Sequence, residues 1–248
     1  MKVRKFRDLT FIEINEEQLL VIACDSSGAI GSKENDIVKV SPDILGYFTT
    51  NVALYEILSV GAEPLTIVNT LTVEMNDTGN KIIEGIKKAI EPLSASKDII
   101  ITGSTEENFP VCQTGMGITV IGIINTNNWT MPMTKKGAIA LVVGLPKLGQ
   151  EVIADNGKEI FSLKILLELK KYSFIQEILP VGSKGILFEL KEMARTNDLD
   201  LCIFSDIKVD LYKSAGPATC AIVSIEEEYF DILKDKCPIP INKVAKFY

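Results

Sequence analysis

The sequence predicts an α+β protein of two similarly sized units, and three features carry that reading. Short runs rich in β-branched residues alternate with amphipathic helical stretches. A link rich in Asn, Thr and Lys, NTNNWTMPMTKKG at 125–137, separates two such series. Hydrophobic residues make up 46% of the 248 and charged residues 24%, enough to bury a sizeable core and too apolar for a disordered chain. The division falls near residue 128, giving units 1–128 and 129–248.

In the first unit, Leu9–Ile14, Leu19–Cys24, Pro64–Val73, Asp98–Thr102 and Gly115–Ile124 read as strands, each closed by turn residues. Two helices lie between them. The first has Ser41 as N-cap, Pro42 at N1 and Gly61 past its end; the second, near Thr78–Ile90, sets Ile82, Ile83, Ile86 and Ile90 on one face and stops at Pro92. In the second unit, Ala138–Pro146, Leu199–Ser205 and Pro217–Ile225 read as strands, and Lys158–Tyr172 and Gly185–Ala194 as amphipathic helices.

Composition excludes several classes of function. No apolar run approaches the ~18 residues of a membrane span, and MKVRKFRDL lacks the apolar core of a secretion signal, so a cytoplasmic protein without membrane contact is expected. The net charge is −7 and the cations are dispersed, which argues against a nucleic-acid partner. Five cysteines (Cys24, Cys112, Cys202, Cys220, Cys237) lack CxxC spacing and read as reduced thiols, four of them placed for burial beside apolar runs. The chain has no histidine, which leaves carboxylates, lysine, tyrosine or water for proton transfer.

Two polar clusters interrupt the apolar scaffold. In CDSSGAIG, Asp25 follows a strand, and Ser26, Ser27 and Gly28 would let backbone amides approach a ligand. In ITGSTEENFP, Gly103, Ser104, Thr105 and Asn108 surround the adjacent acids Glu106 and Glu107. Between them in the chain, Glu56 falls inside an apolar arc of the first helix, where a carboxylate needs a cation or several donors. A structural ion pair and a metal ligand both satisfy that need. Gathered together, these acids would make an oxygen-rich site for Mg²⁺ and nucleotide phosphates. Neither a P-loop nor a dinucleotide fingerprint is present.

CDSSGAIG, NVALYEILSVGAEPL, TGSTEEN and GMGITVIG, spread over residues 19–125, resemble the N-terminal domain of the aminoimidazole ribonucleotide synthetase (PurM-like) superfamily. The second unit is similar in its KKGAIALVVGLP opening. The resemblance implies a two-domain fold whose N-terminal sheet pairs with that of a second subunit to form a β-barrel, and a shortened C-terminal α/β sandwich domain. It further implies a homodimer that binds ATP and Mg²⁺. Within the superfamily, VRKFRDL, ACDSSGAIG and TGSTEENFP are most similar to the alpha-ribazole kinase group, which implies phosphoryl transfer from ATP to the 5′-hydroxyl of a nucleoside-like substrate.

On that resemblance, Asp25, Glu56, Glu106 and Glu107 are candidate metal ligands, and Asp25, Glu56 and Asp36 are candidate catalytic groups, Asp36 orienting the acceptor hydroxyl. Ser26, Ser27, Gly28, Gly103, Ser104, Thr105 and Asn108 are candidate nucleotide contacts, and the basic lead Lys2, Arg4, Lys5 and Arg7 a candidate cover for the triphosphate. The chain departs from the family's pattern in lacking an early Gly-Asp-Asp segment, in Ser104 where an acid is common, and in Lys184 within PVGSKGIL. The alternatives are another enzyme of the superfamily, either thiamine-phosphate kinase-like or a ligase or cyclase, and a nucleotide-binding sensor without catalysis.

Overall fold

The computed structural model describes residues 2–93 and 98–248. Contacts cluster into two units, Met1–Trp129 and Thr130–Tyr248. The first opens with strands β1 (Val3–Phe6), β2 (Leu9–Glu13) and β3 (Gln18–Gly28), followed by the short pair β4 (Ile30–Gly31) and β5 (Val38–Lys39). Helix α1 (Pro42–Ser59), β6 (Glu63–Leu71), α2 (Asn80–Ile90), β7 (Ile100–Ser104) and β8 (Gly115–Asn125) complete it. The large sheet has the order β1-β2-β3-β8-β6-β7. Its neighbours are antiparallel except β6 and β7, whose parallel pairing needs the crossover that α2 supplies.

Helix α1 begins at Pro42 after the extended Ser41, and Gly61 beyond its end takes φ +86°, a value that glycine adopts without strain. It packs on β3 and β8 and against α2. The two helices meet at glycines: a Cβ on Gly46 would stand 2.2 Å from the Ile82 carbonyl oxygen, and one on Gly85 2.0 Å from that of Asp43. The face of the sheet under α1 is therefore sealed. Alternation along the strands leaves the other face half-exposed, with Leu20, Ile22, Ile121 and Ile123 on it.

The second unit contains β9 (Ile139–Gly144), α3 (Gln150–Asp155), α4 (Leu163–Leu169), β10 (Ile175–Pro180), α5 (Ile186–Thr196), β11 (Leu201–Ile203), β12 (Cys220–Ile225), α6 (Phe230–Lys236) and β13 (Ile241–Phe247). Its antiparallel sheet has the order β10-β12-β9-β13-β11. Every residue of β9 and β12 is buried, and Ala140, Val142 and Ile222 share a core with Leu190 and Met193 of α5. Glu177 of β10, 1% exposed, accepts hydrogen bonds from the Thr134 amide at 3.0 Å and Asn197 Nδ2 at 2.7 Å, fixing the start of the unit.

Several sequence expectations change. The strand Leu19–Cys24 continues through Gly28, because β8 supplies ladder partners as far as Gly115. Gly103 and Ser104 likewise belong to β7 and not to a loop. The long helix foreseen at Lys158–Tyr172 is confined to α4: the Phe161 amide donates to the Thr219 carbonyl, and Ser162 then caps a new helix at Ile165. The basic lead is an edge strand, with the Arg4 guanidinium 4.0 Å over the Trp129 ring, so it does not cover the polar clusters. Only Cys220 is fully buried; Cys24, Cys112 and Cys202 are exposed, Cys24 because its alternation places it on the open face of β3.

Candidate functional site

At one end of the open sheet face the side chains change from apolar to hydroxyl and glycine. Ser26 of β3 pairs with Gly117 of β8, Gly117 with Thr70 of β6, and Thr70 with Ser104 of β7, so four strands contribute one polar row. The row forms the floor of a cleft of about 760 Å³, completed by Thr72, Thr105, Glu106, Phe109 and Gly115. Glycine on β8 keeps that floor low: a Cβ would come within 2.7 Å of Thr72 Oγ1 at Gly115 and within 2.7 Å of Thr70 Oγ1 at Gly117. The result is a bed of hydroxyl donors that a flat or polyanionic ligand can approach closely.

The predicted residues fall into three groups. Ser26, Ser27, Ser104, Thr105 and Glu106 line the cleft. Ser27 belongs to the helix-covered alternation of β3, and its hydroxyl lies 2.9 Å from Thr49 Oγ1 of α1. Asn108 and Glu107 shape the rim from outside the lining: Glu106 accepts from the Asn108 amide at 2.7 Å, and Glu107 accepts from the Met75 amide at 2.8 Å and Thr105 Oγ1 at 2.7 Å. The Thr105 hydroxyl, then the Met75 amide, hold the Glu107 carboxyl below its ordinary value. Gly28 lies on β3 with space around it, whereas Gly103 is a packing glycine, since a Cβ there would meet the Asn69 carbonyl oxygen at 1.9 Å.

The carboxylates do not assemble as expected. Asp36, foreseen as the group that orients a hydroxyl, is 4% exposed and clamps a loop: it accepts from the Thr114 amide at 2.8 Å, Thr114 Oγ1 at 2.7 Å and the Lys33 amide at 2.8 Å. Glu56 is half-buried on α1, seven residues or roughly 10 Å along the helix axis from Thr49. Its neighbour Ile57 packs at Gly122, whose strand partner is Val21, so Glu56 lies toward the far end of β3 from Ser27. Among the described residues no three acid or cysteine side chains come together to hold a metal ion.

Asp25 differs from the other acids. It shares the covered side of β3 with Ala23 and Ser27, and among the described residues no Lys or Arg pairs with it. Burial pushes its carboxyl up to about 6, against a smaller opposing hydrogen bond at Ser26. A partly buried carboxylate without a counter-charge suits a cation. Magnesium bound with nucleotide needs only one or two protein carboxylates, the remaining positions being phosphate oxygens and water. Asp25 fits that limited role, and the described residues offer no closed all-protein cage.

No local sequence signal marks Thr70, Thr72 or Lys33 as site residues. Thr70 and Thr72 sat in a run read as a strand, where period-2 alternation with buried Leu71 and Val73 marks them as facing the other way. Lys33 donates to Glu74 Oε2 at 2.6 Å beside the cleft.

Residues 7–124 match the family model described as AIR synthase related protein, N-terminal domain. A search of curated proteins found no match. Among solved structures, thiamine monophosphate kinase from Aquifex aeolicus is similar, with a TM-score of 0.64 and 12% identity, over 98% of this chain and 89% of that one. PurL of T. maritima complexed with ATP gives a TM-score of 0.64 and 12% identity, over 96% of this chain and 41% of that one. A chain of the HypE–HypF complex gives 0.61 and 14%, over 96% and 86%. At these identities the likeness is one of fold: the α+β architecture is shared with proteins of the PurM-like superfamily.

Proposed function

We propose that the cleft at the polar end of the first sheet binds ATP with Mg²⁺ and that the protein is a small-molecule kinase. The observation that carries this reading is the four-strand row Ser26, Gly117, Thr70 and Ser104, a floor of hydroxyls and glycine on a fold also found in an ATP-complexed PurL and in a thiamine monophosphate kinase. Ser26, Ser104 and Thr105 contact the phosphates, Glu106 of the cleft lining is the carboxylate beside them, Asp25 on the covered side of β3 is a separate candidate for magnesium, and Phe109 offers an aromatic face at the rim. Magnesium neutralises phosphate charge during transfer; the chain's own part is to position the nucleotide and keep hydroxyl donors on it. Asp36 serves as the loop clamp, not as the group that orients the acceptor.

The acceptor we propose is the 5′-hydroxyl of alpha-ribazole, on the resemblance of VRKFRDL, ACDSSGAIG and TGSTEENFP to that kinase group. The half-exposed apolar residues Leu20, Ile22, Ile121 and Ile123 on the open sheet face support a homodimer in which the two first sheets pack together. A second reading, a nucleotide sensor without turnover, is favoured by one observation, the lack of three converging acids among the described residues.

The test is ADP release with Mg–ATP and a panel of acceptors, including alpha-ribazole and thiamine phosphate, with product mass read directly. The kinase reading expects one phosphoryl group gained on alpha-ribazole and turnover abolished by Asp25→Asn. ATP binding without turnover on any acceptor supports the sensor, and no ATP binding removes both readings.

A further inference from the structure

A triphosphate in the cleft needs a cationic partner, and among the described residues of the first unit few are placed for it. Arg4 lies over the Trp129 ring on the opposite sheet edge from β7. Lys81 and Lys88 pair with Asp77 and Asp43 beside the helices. Lys39 donates to the carbonyls of Lys33 and Glu34.

Lys33 is different in both backbone and side chain. Its amide donates to Asp36 Oδ2 at 2.8 Å, and its carbonyl accepts from Lys39, so the loop is held at two points on this one residue. Asp36 is in turn bonded to Thr114, the residue before cleft-lining Gly115. The Lys33 ammonium donates at 2.6 Å to Glu74, two residues after cleft-lining Thr72, whose amide donates to the Gly115 carbonyl. Both partners of the ion pair are thus tethered to adjoining parts of the cleft wall. The pair is partly open to solvent, with 21% of the Lys33 side chain and 32% of that of Glu74 exposed, so exchange of partners does not require the core to open.

We propose that Lys33 is the residue that contacts the nucleotide's terminal phosphates, and that Glu74 competes with the phosphates for it. This rests on the nucleotide reading of the cleft. The buried Asp36 clamp then has a reason: it fixes the backbone from which Lys33 reaches. Glu74 also accepts from Thr78 Oγ1 at 2.5 Å, so it keeps a hydrogen-bond donor when Lys33 turns to phosphate. The exchange involves no bond to carbon or phosphorus; one carboxylate is replaced by phosphate oxygens at the ammonium.

The experiment is calorimetric titration of the full chain with Mg–ATP and with AMP, for the unchanged protein, Lys33→Gln, Lys33→Arg and Glu74→Gln. Lys33→Gln should weaken ATP by roughly tenfold or more while AMP changes less than twofold, and Lys33→Arg should recover most of the loss. Glu74→Gln should tighten ATP by roughly threefold or more, a gain that loss of a structural ion pair would not produce. ATP affinity unchanged in Lys33→Gln, an equal loss for AMP, or weaker ATP binding in Glu74→Gln overturns the inference while leaving the nucleotide site standing. Failure of the unchanged protein to bind ATP overturns that site and this inference together.

Discussion

Strands β3 and β8 of the first sheet alternate less and more exposed side chains along eleven residues each, whereas β9 and β12 at the centre of the second sheet bury every side chain. The first sheet is sealed by α1 on one face and keeps the other for recognition: apolar at one end, hydroxyl and glycine at the other. The central strands of the second have no face left to present. The comparison separates residues whose loss should unfold the protein from residues whose loss should change only what it binds.

The largest effect is expected where sealing is complete. Ile222→Ala on β12 removes three carbons from a site with no solvent exposure, in a core shared with Val142 and Leu190, and should cost about 3 kcal/mol of stability in denaturant unfolding. The same change at Ile121, half-exposed on the open face of the single chain, should cost less than about 1 kcal/mol when unfolding is followed at a concentration that dissociates the proposed dimer. Equal losses at the two sites would end the contrast between the sheets.

Next is association. Ile121→Lys places a charge in the middle of the proposed dimer face while its stem still covers the neighbouring strands. Sedimentation should show the unchanged protein at twice the chain mass and the variant at the chain mass, with an unaltered far-ultraviolet spectrum. A variant that remains dimeric would move the interface away from this sheet.

Asp25 gives a smaller effect with a definite sign. Its folded value of about 6 lies above the 3.8 of an exposed Asp, so between those values the folded chain holds more protons than the unfolded one. Stability therefore falls as pH rises from about 4 to about 6, and the penalty persists above that, at roughly 1–3 kcal/mol. Asp25→Asn should flatten this dependence and raise the unfolding midpoint at pH 7. If magnesium of Mg–ATP sits on Asp25, binding near pH 5.5 should also release a proton to buffer, and should release none at pH 8. Calorimetry in two buffers of different ionisation enthalpy reads this directly, and equal heats at pH 5.5 after correction would take the cation off Asp25.

How much of this was legible in the sequence depends on how local each signal is. Ser41, Pro42 and Gly61 delimit α1 because capping is decided within a few residues. The Ser-Ser-Gly after Cys24 read as a turn, yet Gly28 is in a strand because its partner Gly115 lies far along the chain, and nothing near Gly28 records that pairing. The edge strand β1 was missed because its side chains are mostly exposed and show no alternation. Gly103 attracted attention as a ligand contact, while its position is set by the Asn69 carbonyl against which it packs. Ser26, Ser104, Thr105 and Glu106, all singled out in the sequence, line one cleft. Glu56 does not join them, because a helical wheel shows that it lies in an apolar arc and not how far along β3 that arc is laid.

Phe109 carries the smallest expected effect and the sharpest use of the open face. It is 74% exposed at the cleft rim, a large apolar side chain whose removal uncovers no core. Phe109→Ala should therefore leave the unfolding free energy within about 0.5 kcal/mol. A base or benzimidazole stacked on the ring would lose about 1 kcal/mol of binding, roughly fivefold in affinity. Titrating the variant with ATP and with alpha-ribazole separately identifies which ring rests there: a loss for ATP alone puts adenine at the rim, a loss for alpha-ribazole alone puts the acceptor there. No loss for either would remove Phe109 from the site and leave the hydroxyl row of the sheet as its recognising surface.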